Sequence, residues 1–179
     1  MDHDASSDAQ LFLAIVPDAD TAARIYRLAG VLKRAYKFDG KLIEPEHLHV
    51  SLFFLGGLPA HMVQMACEAA ADVWARPFDV LFDRSVSFRS RSGNRPLVLI
   101  GDDGLDRLRS FRRTLGVAMA KRGLKRLAKN DFTPHLTLLY AERNAEEHPI
   151  EPIRWTVNEF VLIHSKHGHV HLARWPLRV

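Results

Sequence analysis

The chain has 179 residues, 47% of them hydrophobic, enough for one sizeable core and too few for two independent domains of ordinary size. A net charge of +4 favours anionic partners but is too slight by itself to mark a nucleic-acid binder. The single cysteine, Cys67, excludes an internal disulfide and a thiolate metal cluster, and no apolar run reaches the length of a membrane span.

The start, MDHDASSDAQ, is acidic and polar, unlike a secretory or transit peptide, and predicts a flexible tail over residues 1–10 of a soluble cytoplasmic protein. LFLAIVP (11–17) reads as a buried strand, after which Asp18 or Asp20 caps a helix running to about Tyr36. HVSLFFLG is the next strand, followed by a helix from about Pro59 to Ala75 and a strand in FDVLFDRSVSF (78–88). RSRSGNRP (89–96) reads as a turn or linker. The order then restarts. PLVLIGDDG (96–104) answers the first strand, and LDRLRSFRRTLGVAMAKRG answers the first helix, with Gly123 as its C-terminal cap. PHLTLLY answers HVSLFFL, and WTVNEFVLIHS (155–165) answers FDVLFDRSVSF. This hidden repeat predicts a single α+β domain over 1–179, bilobal and pseudo-symmetric, with an antiparallel sheet and helices in each lobe. The lobes are expected mainly from 11–95 and 96–179, with a cleft between them.

Residues two apart on a strand share a face, so His49 pairs with Ser51 and His135 with Thr137. One His-x-Ser/Thr in an apolar strand is common by chance; two copies at equivalent places are not. Facing each other across a cleft, one imidazole can take a proton while the other gives one, and the hydroxyls can donate to phosphate oxygens. In-line displacement at phosphorus needs those roles on opposite sides, and a strained cyclic phosphodiester needs no strong Lewis acid.

The segments LFLAIVPD, EHLHVSLFFLG, RSGNRPLVLIG, FTPHLTLLY and LARWPL, in that order, resemble the 2H phosphoesterases, and within them the bacterial RNA 2′,3′-cyclic phosphodiesterases, also called 2′-5′ RNA ligases. The resemblance implies a bilobal α+β fold and metal-independent opening of a 2′,3′-cyclic phosphate to a 2′-phosphomonoester, with reversible 2′-5′ joining as a related activity. It implies His49 as general acid, His135 as general base, and Ser51 and Thr137 as phosphate-holding hydroxyls. It implies no cofactor and no metal, and the expected partners are RNA with 2′,3′-cyclic phosphate ends or small cyclic nucleotides, met by a monomer away from membranes.

Three positions depart from the family pattern. Ser51 stands where Thr is usual, keeping the hydroxyl. Tyr140 stands where many relatives carry a phosphate-contacting Arg, a charged bidentate contact that a phenol does not supply. His169 falls where a Tyr is frequent, at the expected cleft edge. Phe54 and Phe132 flank the motifs; Phe54, in its apolar run, is assigned to the core and Phe132 to base stacking. Trp74, Trp155, Trp175 and Cys67 are assigned to packing.

His164, His167, His169 and His171 alternate near the C-terminus; a solvated strand face is favoured over a metal site, and substrate contact by His169 is a third reading. Lys121, Arg122, Lys125, Arg126 and Lys129, with Arg89, Arg91 and Arg95, are either an RNA-binding patch or ordinary solubilising charge. Two classes of function compete: cyclic phosphodiester hydrolysis, and capture of an RNA end or nucleotide without turnover. An enzyme of the same catalytic residues acting on ADP-ribose cyclic phosphate or 2′-5′ oligonucleotides is a variant of the first.

Overall fold

The structure is a computed structural model and describes residues 10–128, 131–166 and 168–179. The tail through residue 9, Lys129, Asn130 and His167 lie outside the described residues. Among the described residues, the strands form two four-stranded antiparallel sheets. In the first, β1 (Leu11–Ile15) sits between β2 (Val50–Phe54) and β7 (Glu159–His164), and β8 (Val170–Pro176) lies outside β7. The second runs β5 (Leu136–Ala141), β4 (Arg95–Ile100), β3 (Phe78–Ser87), β6 (His148–Val157).

This order corrects the expected division of the lobes at residues 95 and 96. The stretch 89–94 is a hairpin loop with Gly93 at φ 77°, so β3 pairs with β4 in the second sheet instead of ending the first lobe. WTVNEFVLIHS is not one strand: it ends β6 at Val157, and β7 starts at Glu159 and returns to pair with β1. The repeat survives as an exchange. β7 occupies beside β1 the place that β3 occupies beside β4, each supplied by the other half of the sequence.

Helix α1 (Ala19–Tyr36) starts where Asp18 accepts from the Thr21 amide at 2.9 Å and from its hydroxyl at 2.7 Å. The Thr21 backbone bond is the largest cause holding the Asp18 carboxyl below its usual pKa. Lys37, at φ 53°, closes the other end. Its buried residues Ile25, Ala29 and Leu32 recur at helical spacing, and α1 packs on β5 and β6. Helix α3 (Asp106–Lys121) covers the first sheet instead: Phe111 meets Phe160 of β7 at 5.1 Å, and Gly116 faces Phe53 of β2. Each long helix therefore covers the sheet bearing the other half's motif.

Helix α2 (Ala60–Asp72) is shorter than the sequence suggests, because Val73 already has extended backbone. The sequence did not separate α4 (Lys125–Ala128), a single turn past Gly123, which has φ 94°. Trp155 is buried, and Trp175 stacks on Phe160 at 5.2 Å, as packing residues do; Trp74 is 60% exposed and is not a core residue. No helix among the described residues is long and apolar enough to cross a membrane.

Candidate active site

Both motif strands carry the same irregularity. Against the consecutive β1 residues Ala14 and Leu13, β2 presents Ser51 and then Phe53, so Leu52 is an extra residue. Against Val98 and Leu97, β5 presents Thr137 and then Leu139, leaving Leu138 extra. Such a bulge breaks the two-residue alternation and re-aims the side chains beyond it. Leu52 and Phe53 are both buried, as are Leu138 and Leu139, whereas Phe54 and Tyr140 emerge 57% and 46% exposed. Each extra residue's carbonyl is engaged from elsewhere in the chain: Arg112 Nε of α3 donates to Leu52 O at 3.2 Å, and the Ile43 amide donates to Leu138 O at 2.8 Å. Arg112 is itself buried, with its guanidinium 4.0 Å from the Phe53 ring centre.

The imidazoles are oriented by a second shared device. His49 Nδ1 lies 2.8 Å from the carbonyl of His47, and His135 Nδ1 lies 2.8 Å from the carbonyl of Thr133. A carbonyl only accepts, so Nδ1 carries the proton in both rings, and Nε2 is the nitrogen left to exchange one.

His49, Ser51, His135 and Thr137 line one cavity of about 320 Å³, together with Gln10, Phe12, Ile43, His47, Tyr140 and His169. Neither motif hydroxyl has a protein partner among the described residues. Among the described residues no carboxylate, lysine or arginine is in the lining, so its cationic groups are imidazoles and its neutral donors are hydroxyls and an amide. An anion with a proton to give and one to take fits such a lining. A larger cavity of about 440 Å³ between β3, β6 and the start of α3 contains neither motif; chemistry rather than volume singles out the smaller one.

The two imidazoles differ in their neighbours. His49 is half-buried against Phe12 at 4.8 Å and His169 at 5.2 Å. Burial is the main cause holding its pKa below the usual histidine value; the charges of His135 and His47 act in the same sense, and the His47 carbonyl opposes them. His169 meets His47 at 4.6 Å, and burial, then the charges of His49, His47 and His171, bring its pKa down to about 4. His135 meets the edge of one ring, Phe88, at 5.0 Å.

Of the residues singled out from the sequence, His49, Ser51, His135, Thr137, Tyr140 and His169 meet in this cavity. Phe132 does not: its ring lies 5.0 Å from the Arg112 guanidinium and packs on the core. Phe54 is the reverse case, assigned to the core and found exposed, because the Leu52 bulge turns it to the side of Phe12, its partner in β1. Sequence reasoning missed Gln10, which it placed in the tail, and Phe12, Ile43 and His47. His47 carried a signal, since it stands two residues before His49, but it belongs to a turn of 3-10 helix, Pro45–His47, where alternation does not apply.

Among the other histidines, His171 Nδ1 takes a bond from Arg174 at 2.9 Å, and His164 ends β7. Among the described residues no three His, Cys, Asp or Glu side chains are placed to hold a metal ion. In the basic cluster, Arg122 is engaged by Glu68 at 2.8 Å and Asp72 at 2.6 Å.

A family model described as the 2′-5′ RNA ligase superfamily matches residues 17–169. An RNA 2′,3′-cyclic phosphodiesterase of Archaeoglobus fulgidus is 29% identical over 139 residues, 77% of this chain and 76% of that one. Among solved structures, E. coli LigT complexed with 3′-AMP is similar at a TM-score of 0.72 and 25% identity, covering 96% of this chain and 99% of its own. TT0787 of Thermus thermophilus is similar in fold at a TM-score of 0.65 and 20% identity, covering 94% of this chain and 98% of its own.

Proposed function

The chain belongs to the 2′-5′ RNA ligase superfamily, and from that premise we propose that it hydrolyses a 2′,3′-cyclic phosphate on RNA or a nucleoside to a 2′-phosphomonoester. His135 Nε2 takes a proton from water as its oxygen bonds to phosphorus; the P–O3′ bond breaks, and protonated His49 gives its Nε2 proton to O3′. Ser51 and Thr137 donate to the non-bridging oxygens as their charge grows. The same step, with a ribose 5′-hydroxyl as the nucleophile in place of water, is 2′-5′ joining.

The observation that carries this reading is the shared device itself: two rings with Nδ1 tied to the carbonyl two residues back, each beside an unengaged hydroxyl, on one cavity. A site that only held phosphate would be served by Arg or Lys and would not need two tautomers fixed. The anionic substrate also brings a charge that the lining itself lacks. That charge beside His49 favours the protonated ring that burial disfavours. The name of the Archaeoglobus relative and the 3′-AMP in the LigT complex support a nucleotide as occupant.

The test is turnover of a nucleoside 2′,3′-cyclic phosphate in EDTA with identification of the product isomer. Conversion to the 2′-phosphate, lost in His49→Ala and His135→Ala, is the expected result. A folded wild type that binds the compound without converting it would favour the capture reading, for which Tyr140 at the usual arginine position is the specific support.

A further inference from the structure

Tyr140 borders both the cleft and a second cavity of about 400 Å³, and its side chain is exposed. The floor of that cavity is built rather than loose. Gly40 sits so close to the Tyr140 carbonyl that a Cβ there would overlap the oxygen, and Arg143 Nη2 donates to the carbonyls of Tyr36 and Lys37, each at 2.6 Å. Only glycine permits that approach. Asn94, Asp39, Glu142 and Lys37 also border the cavity, and none of their side chains makes a hydrogen bond or ion pair among the described residues. Lys37 and Arg143 balance Asp39 and Glu142, so a phosphate gains nothing there. What the wall offers is an aromatic ring, an amide with both a donor and an acceptor, and carboxylates that accept.

We propose that this cavity binds the nucleobase of the nucleotide immediately upstream of the cyclic phosphate, stacked on Tyr140 and hydrogen-bonded along its edge. The proposal rests on the phosphodiesterase reading of the neighbouring cleft. Single-stranded bases are recognised by stacking on aromatic rings and by hydrogen bonds to their edges, and carboxylates accept from exocyclic amino groups. The occupant is therefore a base carrying an amino group, guanine, adenine or cytosine, in preference to uracil. Tyrosine in place of a phosphate-contacting arginine thus exchanges charge at the phosphate for length of RNA recognised.

The experiment compares kcat/KM for adenosine 2′,3′-cyclic phosphate with that for dinucleotides ending in the same unit and carrying G, A, C or U upstream. We expect at least a tenfold advantage for the G, A and C dinucleotides and less for U. Asn94→Ala and Glu142→Ala should erase that advantage while leaving the mononucleotide rate unchanged. Calorimetric binding of the corresponding 2′-phosphate products, mononucleotide against dinucleotide, separates this proposal from the one it rests on. Tighter dinucleotide binding that depends on Asn94 supports the base site even if turnover is absent. Equal kcat/KM for both lengths, or an advantage that survives in both variants, overturns it, as does product binding that does not depend on length.

Discussion

The His49 and His135 regions are built from one backbone plan and differ in everything around it. In each, a carbonyl two residues back holds Nδ1, a bulge follows the hydroxyl, and a large ring emerges three residues later. Around His49 the chain packs Phe12, His47 and His169; around His135 it places the edge of Phe88 and open cleft. The plan fixes which nitrogen moves a proton, and the packing sets how readily the ring holds one. The packing around His49 lowers its hold on a proton, so a role for it as acid depends on the charge that a bound phosphate brings.

The largest effects should come from breaking the plan on either side. His49→Ala and His135→Ala should each lower kcat by about 10³-fold with the circular dichroism spectrum unchanged. The double variant should be little worse than either single one, because both act in one step. Steady-state kinetics on a cyclic nucleotide reads this; additive losses would mean that the two rings do not work as a pair. Thr137→Val and Ser51→Ala should each cost about 10²-fold in kcat and little in KM, since their donors gain strength as charge develops on phosphorus. An unequal pair would show that the lobes share the phosphate unequally.

Removing a support should cost less. Arg112→Met keeps a buried side chain but leaves the Leu52 carbonyl without this donor, so the β2 bulge loosens while the β5 bulge, held by Ile43, does not. The expected loss is about 1–3 kcal/mol in stability, read by urea unfolding. A drop of about tenfold in kcat should accompany it, because the ring of His49 and the Ser51 hydroxyl lie on that strand. Unchanged kcat in a destabilised variant would assign Arg112 to packing alone.

Repetition made the motifs and most elements legible, since local patterns of apolar residues and caps such as Asp18 sit within a few residues of what they specify. The exchange of β3 and β7 between sheets was not legible, because β1 and β7 lie far apart in sequence and the turn residues of the β3–β4 hairpin read equally well as a break between lobes. The opposite fates of Phe54 and Phe132 were hidden for a related reason. Alternation counted from His49 does not foresee the extra residue at Leu52, and it is that residue which brings Phe54 out; Phe132 is held in by an arginine 20 positions before it. His47 and Phe12 reach the site through a helical turn and a neighbouring strand, neither of which carries the motif.

Acid should weaken the crowded side first. His169 has a pKa of about 4 in the folded chain, below the ordinary value of 6.5, so the unfolded chain binds more protons between those values. Stability that is present above pH 6.5 is lost as pH falls toward 4. His169→Gln should flatten that dependence, measured as the urea midpoint against pH, whereas His135→Gln should leave it steeper than the His169 variant.

The smallest expected effect is a displacement of the pH–rate profile, and it addresses the comparison most directly. If His49 is the acid, kcat/KM falls as pH rises through its pKa in the free protein, which burial and neighbouring histidines hold below the ordinary value. In the complex the phosphate charge favours the protonated ring, so the corresponding limb of kcat lies at higher pH. His47→Gln removes one of the like charges near His49 and leaves untouched the backbone carbonyl that holds its Nδ1. The basic limb of kcat/KM should then move upward by less than about one unit, with the kcat limb nearly fixed. An upward shift of the acidic limb of kcat/KM with the basic limb unmoved would mean that the crowded imidazole is not the acid and that the assignment of roles to the two sides must be reversed.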